Sequence, residues 1–304
     1  MVPKIVVLLI SFLLYVLPAP AKSPGELLAS FDIDWVSFYT LQEGQTTVKG
    51  DSYFIDGKTY VPTPYLGQVV QVLMTQGFQI GFISGGNIER NVPLLNAYKI
   101  DGERSLADVS KILSKSDLYE VPGVSKTDYF SNQFKKDLSK YGVPESNVAH
   151  IDDMMKFAFN VNQEKSFIGL LGTFVHLENY SEYLENTRGK FEAKYVPTSR
   201  ENWTIEQAKL VYALGVIMTA RDSWRRDGGE FREQVSRHGR DKNGNPLSIY
   251  SNDAMMYLQR GIQEIEIHFK NSVSRSFRNL KETVRVKRAR SSTKNQCSAY
   301  FVSK

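Results

Sequence analysis

Two aspartates one residue apart, Asp32 and Asp34, follow a short apolar run and are the residues of this chain best suited to chemistry. A β-strand alternates its side chains, so both carboxylates would leave the end of a strand into the same crevice. In an open parallel sheet, ligands bind beyond the carboxyl ends of the strands. The pair therefore suits an anionic nucleophile with an acid beside it, although the same pattern also occurs in turns and at solvated strand ends.

A second apolar run, residues 78–83, ends in Ser84, Gly85 and Gly86. Glycines let backbone N–H groups approach a ligand closely, and a hydroxyl with such donors suits phosphate oxygens. The segment predicts a buried strand followed by a substrate-binding loop in which Ser84 and Gly85 contact a phosphate.

A third apolar run, residues 147–151, ends in the adjacent carboxylates Asp152 and Asp153. Burying both without a cation would be very costly. Mg²⁺ is commonly held by one or two carboxylates together with waters and substrate phosphate, so the pair predicts a Mg²⁺ site. Which of the two carboxylates touches the metal directly stays open, with a slight preference for Asp152. His150, on the same run, is expected to be a hydrogen-bonded core histidine.

Lys126 stands between the second and third runs, ahead of a helix predicted over residues 129–141. Gly142 and Pro144 mark the end of that helix. A lysine at a junction between a loop and a helix can reach into the crevice and balance a phosphate and a nucleophilic carboxylate. The alternative is an ordinary surface lysine.

Taken together, these segments resemble the phosphatases of the haloacid dehalogenase superfamily over about residues 28–175. The motifs that carry the resemblance stand in the family's order: Asp32 and Asp34, then Ser84, then Lys126, then Asp152 and Asp153. The resemblance implies an α/β fold, a Rossmann-like three-layer sandwich with a central parallel sheet and a small flap or cap insert.

The resemblance also implies a role for each motif residue. Asp32 would attack phosphorus and form an aspartyl-phosphate, and Asp34 would act as general acid and then as general base. Ser84 and Lys126 would hold the remaining phosphoryl oxygens. Mg²⁺ would be the cofactor, and its ligands would be Asp32, the backbone carbonyl of Asp34, Asp152 and Asp153. Asp34 favours phosphatase over dehalogenase activity, because the dehalogenases of the family lack this acid.

An Asp-Gly pair between two β-rich halves predicts a hairpin over residues 51–61, followed by a helix over residues 63–76. In the family, an insert at this place forms a flap or small cap over the crevice. Tyr53, Tyr60 and Tyr65 are then candidates for substrate contact. The alternative is a hairpin that extends the sheet. The stretch of sequence between Ser84 and Lys126 is too short to form a large cap domain, so we expect a fairly open crevice.

Beyond residue 198 the pattern changes to helices, with apolar stripes that start at Trp203 and Leu258. Between the stripes, the charged and glycine-rich residues 221–246 predict a long loop. The predicted domain organisation is a signal peptide at 1–21, a phosphatase core with the hairpin at 22–198, a helical region at 199–290 and a tail at 291–304.

The start of the chain predicts a secreted or periplasmic protein. Lys4, an apolar run over residues 5–17 and small residues spaced as Ala-x-Ala describe a cleavable signal peptide, with cleavage near Ala21. The run is too short for an ordinary transmembrane helix, so we expect no transmembrane segment after cleavage. The single cysteine, Cys297, excludes an intramolecular disulfide framework.

The formal net charge is +5, and basic residues concentrate near the carboxyl end. They are Lys270, Arg275, Arg278, Lys281, Arg285, Lys287, Arg288 and Arg290. This excess would attract anionic substrates, and the basic run is a candidate contact for an anionic surface, but it does not mark a nucleic-acid binder.

Two functions therefore fit the sequence. The first is a Mg²⁺-dependent hydrolase of phosphoric monoesters that acts on a phosphorylated substrate of unknown class. The second is a catalytically silent scaffold that binds polyanions or a cell surface through its basic carboxyl-terminal region. The sequence favours the enzyme, because a scaffold does not need every catalytic carboxylate.

Overall fold

The computed structural model describes residues 27–41, 52–170, 197, 199–270 and 277–288. The predicted signal peptide, the predicted tail and Cys297 lie outside the described residues. The strands are β1 (Leu28–Asp32), β2 (Phe38–Thr40), β3 (Tyr53–Ile55), β4 (Lys58–Pro62), β5 (Gln79–Ile83), β6 (Ser110–Leu113), β7 (Tyr119–Glu120), β8 (Phe134–Lys135), β9 (Val148–Asp152) and β10 (Phe167–Gly169). The α-helices are α1 (Leu66–Thr75), α2 (Ile88–Ala97), α3 (Phe130–Gln133), α4 (Val161–Glu164), α5 (Arg200–Gln207), α6 (Lys209–Asp227), α7 (Phe231–Gly239) and α8 (Asn252–Phe269), and residues 277–288 are also helical.

A parallel sheet in the order β10-β9-β1-β5-β6 forms the centre of the fold. Strand β1 lies in the middle and is buried at all five residues. Near-continuous apolar strands are expected where both faces of a sheet are covered. In the register of the sheet, Asp32 stands beside Ile83 of β5 and Phe31 stands beside Ile151 of β9. The predicted α/β fold with a central parallel sheet is confirmed.

Alternate residues of β1 enter two hydrophobic clusters, one on each face of the sheet. Ala29 and Phe31 belong to the larger cluster, which also contains side chains of α1, α6 and α8. Leu28 belongs to the smaller cluster, together with Leu138 and Tyr141 from the segment between β8 and β9. The helices after residue 200 therefore share one hydrophobic core with the sheet. The predicted domain boundaries themselves stay predictions.

Helices α6 and α8 cross in close contact at two glycines. A Cβ atom on Gly215 would lie 1.7 Å from the carbonyl oxygen of Tyr257, and one on Gly261 would lie 1.9 Å from that of Val211. Because the neighbouring atoms are backbone, no side-chain movement could make room for a methyl group. The absence of a Cβ at both positions lets the two helices cover the sheet as one layer.

The predicted hairpin is present and belongs to a separate sheet. Strands β3 and β4 pair around Asp56 and Gly57, whose φ angles of 49° and 73° are those of a tight hairpin turn. Strand β4 also pairs with β2, which gives an antiparallel sheet in the order β2-β4-β3. The hairpin therefore does not extend the central sheet.

The helix predicted over residues 129–141 is wrong. Helix α3 ends at Gln133, and β8 then pairs with β7 in an antiparallel ladder before a 3-10 turn at Leu138–Tyr141. Pairing between these strands replaces the helical hydrogen bonds that the local sequence favoured, because tertiary contacts override helix propensity.

The long loop predicted over residues 221–246 is also wrong. Helix α6 continues to Asp227, and α7 follows after Gly228 and Gly229, which have φ angles of 75° and 77°. Phe231 and Val235, four residues apart and both buried, fix α7 against the core. In the described part of the chain, no helix is long and apolar enough to cross a bilayer.

Candidate active site

Asp32 is the last residue of β1 and lies at the carboxyl edge of the sheet, with only 6% of its surface exposed. Its Oδ1 accepts a hydrogen bond from the backbone N–H of Ile33 at 2.8 Å. The chain then turns sharply, and Trp35 adopts a left-handed φ of 64°. This turn carries Asp34 to the mouth of a cleft that Asp32 also lines.

The lysine of the site is Lys136. Its Nζ lies 2.9 Å from Oδ1 of Asp32 and 2.7 Å from Oδ2 of Asp152, and the residue is almost fully buried. The choice of Lys126 for this position is corrected, because Lys126 is exposed and is not among the residues that line the cleft. The short helix α3 and strand β8 bring the later lysine to the carboxylates.

Asp152 is held by a buried network that runs from β9 to the neighbouring strand β1. Its Oδ2 accepts hydrogen bonds from Lys136 Nζ and from His150 Nε2 at 2.9 Å, and its Oδ1 accepts one from the backbone N–H of Met154 at 2.8 Å. His150 Nδ1 lies 3.0 Å from Ser30 Oγ. This matches the core histidine expected from the sequence, and the network fixes the Asp152 carboxylate.

Asp32, Asp152 and Asp153 can each offer one carboxylate oxygen to a common point. These oxygens lie within 4.8 Å of one another. Asp153 lines the cleft, whereas both oxygens of Asp152 accept hydrogen bonds from protein groups. This arrangement favours Asp153 over Asp152 for direct contact with a metal, which reverses the slight preference for Asp152 inferred from the sequence. The carboxylate of Asp34 is not part of the group, and its backbone carbonyl stays a predicted ligand.

The charges of the cleft floor are not balanced by the protein alone. Burial raises the pKa of Asp32 well above its usual value, against the opposing charge of Lys136. Burial and the neighbouring charge of Asp152 raise the pKa of Asp153 to about 7. Burial also acts on Asp152, but Lys136 and His150 outweigh it and lower the pKa of Asp152 to about 2. The acidic oxygens and their uncompensated charge fit a divalent cation such as Mg²⁺.

Asp34 is held by an arginine that the sequence did not single out. Nη1 and Nη2 of Arg90 lie 2.5 Å and 2.8 Å from the two carboxylate oxygens, and Ser84 Oγ donates a hydrogen bond of 2.8 Å to Oδ2. Burial raises the pKa of Asp34, but the hydrogen bonds and charge of Arg90 prevail and lower it. Asp34 is therefore a carboxylate, not a carboxylic acid, in this arrangement.

A buried lysine supports the turn that carries Asp34. Nζ of Lys209, from α6, donates a hydrogen bond of 2.7 Å to the carbonyl oxygen of Trp35 and lies 4.8 Å from the centre of the Tyr39 ring. Thr63 Oγ1 donates to the carbonyl oxygen of Val36 at 2.6 Å. These bonds hold Trp35, the residue with left-handed φ, in place. Trp35 follows the two aspartates in the chain and precedes the hairpin.

The cleft has a volume of about 850 Å³, an acidic floor and aromatic walls. Its aromatic lining residues are Trp35, Phe54, Tyr60, Phe130 and Phe157. Of the three tyrosines proposed for substrate contact, Tyr60 lines the cleft. Tyr53 packs against Phe38, and Tyr65 packs against Phe277.

The structure thus gathers most of the sequence-predicted residues around one cleft. Asp32, Asp34, Gly85 and Asp153 line it, Ser84 donates a hydrogen bond to Asp34, and Asp152 contacts Lys136. Lys136, Arg90 and Lys209 were missed. A local signal existed for Arg90, because a cation in the first turn of a helix opposes the helix dipole and usually has another partner.

The two acidic motifs end adjacent parallel strands, and the hydroxyl motif ends the strand on the other side of β1. The chain has an α/β fold with a central parallel sheet, and these motifs lie at the carboxyl edge of that sheet. No protein-family model and no curated protein matches the sequence.

Two solved structures illustrate how distant the similar folds are. One is of Fcp1, an essential RNA polymerase II CTD phosphatase, with 10% identity, a TM-score of 0.39 and coverage of 72% of each chain. The other is of the fission yeast RNA polymerase II CTD phosphatase Fcp1 bound to beryllium fluoride, with 13% identity, a TM-score of 0.36 and coverage of 81% of this chain and 64% of that chain. Likeness at this level carries no information on the substrate of the present chain.

Proposed function

We propose that this protein is a Mg²⁺-dependent phosphomonoesterase that works through an aspartyl-phosphate on Asp32. The observation that carries the proposal is the convergence of Asp32, Asp152 and Asp153 on one point at the carboxyl edge of the sheet, with Lys136 between two of them. A structural role alone does not call for three clustered carboxylates with only partial charge compensation.

Asp32 has the place and the support of a nucleophile. Lys136 and the N–H of Ile33 both contact Oδ1, so Oδ2 is the oxygen available to attack. In the first step, this oxygen forms a bond to phosphorus and the bond from phosphorus to the leaving oxygen breaks. The leaving oxygen takes a proton from Asp34, which must first leave its contact with Arg90 and gain that proton from solvent. In the second step, water gives its proton to Asp34 and attacks phosphorus, which breaks the bond to Asp32.

Asp32, Asp152 and Asp153 would hold the Mg²⁺ ion, with the backbone carbonyl of Asp34 as a further ligand. When bound, the ion supplies positive charge that neutralises the phosphoryl oxygens and keeps the clustered carboxylates ionised. Lys136 fixes the carboxylates of Asp32 and Asp152 next to each other. The hydrogen bonds from His150 and from the N–H of Met154 keep the Asp152 side chain from rotating.

The walls of the cleft would receive the leaving group. Phe54, in strand β3 of the hairpin, has 74% of its surface exposed, and Phe130 and Met154 line the same cleft with 36% and 40% exposed. Exposed apolar side chains concentrated around a polar site indicate a binding surface. An open cleft of this kind accepts bulky phosphate esters as well as small ones.

The scaffold hypothesis receives less support from the structure. Three basic residues of the carboxyl-terminal region have acidic partners: Lys281 with Glu266, Arg285 with Glu282, and Lys287 with Glu201. Paired charges of this kind attract a polyanion less strongly than free ones. Secretion, a signal peptide and contact with an anionic surface stay predictions.

The proposal is tested by hydrolysis of p-nitrophenyl phosphate with Mg²⁺ and with EDTA. We expect activity that requires Mg²⁺ and disappears in Asp32→Asn. Acid quenching during turnover of a ³²P-labelled substrate should trap label on the wild-type chain and not on the variant. Asp101→Asn, an exposed aspartate paired with Arg104, is the matched control. A protein inactive on a broad panel of phosphate esters, with and without Mg²⁺, would favour the scaffold.

A further inference from the structure

Arg90 is a cation of the cleft that has no role in the proposed hydrolysis through Asp32. Its side chain is 11% exposed, and its guanidinium contacts both oxygens of Asp34. The same Nη2 lies 3.0 Å from Oγ of Ser84, the hydroxyl that follows β5. The two side chains predicted to work on the phosphoryl group, Asp34 and Ser84, are therefore both engaged by one arginine.

The space around the guanidinium fits a planar group. A Cβ atom on Gly86 would lie 1.8 Å from Nη2 of Arg90, so any larger residue there would compete with the guanidinium for its place. On the other side, Cζ of Arg90 lies 5.6 Å from the centre of the Tyr60 ring. The arginine is thus held between the glycine loop and the hairpin, at the side of the cleft that Asp34 lines.

The contact between Arg90 and Asp34 conflicts with the work expected of Asp34. A carboxylate bound at both oxygens by a guanidinium is turned toward that group and not toward a leaving oxygen. The guanidinium fork fits the oxygens of a phosphoryl group as well as those of a carboxylate. A phosphoryl group at Asp32 would enter beside Ser84 and Arg90 and would offer the arginine a second anionic partner.

We propose that Arg90 is a phosphoryl-binding residue that exchanges partners when the substrate binds. Without a ligand it is paired with Asp34, and with a phosphomonoester in place its Nη atoms donate to phosphoryl oxygens. The exchange releases Asp34 to face the leaving oxygen. This inference rests on the proposed phosphatase function, and it adds that Asp34 and the ligand compete for the same guanidinium.

The first test measures binding of inorganic phosphate, in the presence of Mg²⁺, by titration calorimetry. Asp34→Asn removes the competitor, so this variant should bind phosphate roughly 10-fold more tightly than the wild type. Asp34→Asn/Arg90→Met should bind roughly 10- to 100-fold more weakly than Asp34→Asn, because a charged hydrogen-bond pair is lost. Arg104→Met in the Asp34→Asn background removes a different, exposed arginine and should change nothing.

Equal phosphate affinity of Asp34→Asn and Asp34→Asn/Arg90→Met overturns the proposal. So does an Asp34→Asn variant that binds phosphate no more tightly than the wild type. If the double variant fails to fold, Asp34→Asn/Arg90→Lys takes its place. That variant keeps the charge without the fork and should lose part of the affinity.

A crystal structure of the wild type with Mg²⁺ and orthovanadate provides the second test. Arg90 should lie within hydrogen-bond distance of the vanadate oxygens and apart from Asp34, and an Arg90 still paired with Asp34 overturns the exchange. These results are separable from the phosphatase function itself. Hydrolysis that Asp32→Asn abolishes supports the function whether or not Arg90 moves, whereas a wild type without hydrolysis and without phosphate binding removes both.

Discussion

The floor and the walls of the cleft are built in opposite ways. On the floor, Asp32, Lys136 and Asp152 are buried, and Lys136 forms an ion pair with each of the two carboxylates. On the walls, Phe54 on the hairpin and Met154 on a loop are apolar side chains with 74% and 40% of their surface exposed. Fixed charges suit a reaction that is the same for every substrate, and adaptable apolar contacts suit selection among leaving groups.

If this contrast is correct, substitutions on the floor should act on the chemical step and on folding, whatever the substrate. Substitutions on the walls should act on the choice between substrates.

The largest effect is expected for Asp32→Asn. An amide cannot form the acyl phosphate, so kcat should fall by about 10⁴-fold or more, whereas the fold should be retained. Steady-state hydrolysis of p-nitrophenyl phosphate and thermal unfolding measure the two quantities. Asp101→Asn should leave both unchanged. Hydrolysis that persists in Asp32→Asn at a tenth of the wild-type rate would exclude Asp32 as nucleophile.

Next in size is the effect of removing the buried cation. Lys136→Met leaves the carboxylates of Asp32 and Asp152 without their shared partner, so the free energy of unfolding should fall by about 3–5 kcal/mol and activity should be lost. Denaturant unfolding with EDTA present measures the first quantity. Lys126→Met is the matched control and should change neither stability nor activity. The reverse result would restore Lys126 as the lysine of the site.

The strand-end residues of the site could be predicted from the sequence, whereas its lysine, Lys136, could not. Asp32, Ser84 and Asp153 could be placed because each follows an apolar strand, and the carboxyl ends of parallel strands share one edge. Lys136 could not, because its position depends on how the segment between β6 and β9 folds. That segment has short helices and a two-residue ladder in place of the single helix predicted.

Contacts between residues far apart in the chain likewise could not be predicted from the sequence. Lys209 and Trp35 are 174 residues apart, and nothing in the local pattern around either residue points to the other. The hairpin, by contrast, was predictable, because an Asp-Gly turn is encoded by neighbouring residues alone. Local geometry could be read from the sequence, whereas the pairing of buried charges required the fold.

A smaller effect concerns stability and pH on the floor. The usual pKa of an aspartate, which applies to Asp153 in the unfolded chain, is 3.8. In the metal-free fold the pKa of Asp153 is raised to about 7. Between these values the folded protein binds a proton that the unfolded chain releases, so this residue lowers stability as pH rises. In EDTA, Asp153→Asn should therefore become progressively more stable than the wild type from about pH 4 to about pH 7, by roughly 3–4 kcal/mol.

Thermal unfolding of the two proteins across this range measures the difference. The comparison must be with the variant, because burial lowers the pKa of His150, which makes stability rise with pH. Mg²⁺ should stabilise the wild type at neutral pH more than it stabilises Asp153→Asn. A stability difference that does not change with pH in EDTA would mean that Asp153 is not a buried, uncompensated carboxylate.

The smallest effect is expected on the walls, and it is the one that tests their separate role. Phe54→Ser removes an exposed ring from strand β3 of the hairpin, so the core is untouched. 2-Naphthyl phosphate and phenyl phosphate have leaving groups of similar acidity and differ mainly in apolar area. The ratio of kcat/KM for 2-naphthyl phosphate to kcat/KM for phenyl phosphate should fall by roughly 3- to 10-fold in the variant, because one apolar contact contributes that much discrimination.

Ile267→Ser, which removes an exposed apolar side chain from α8, should leave the ratio unchanged. If Phe54→Ser instead lowers both kcat/KM values equally, the hairpin serves the chemical step, and the division between a catalytic floor and a selective wall does not hold.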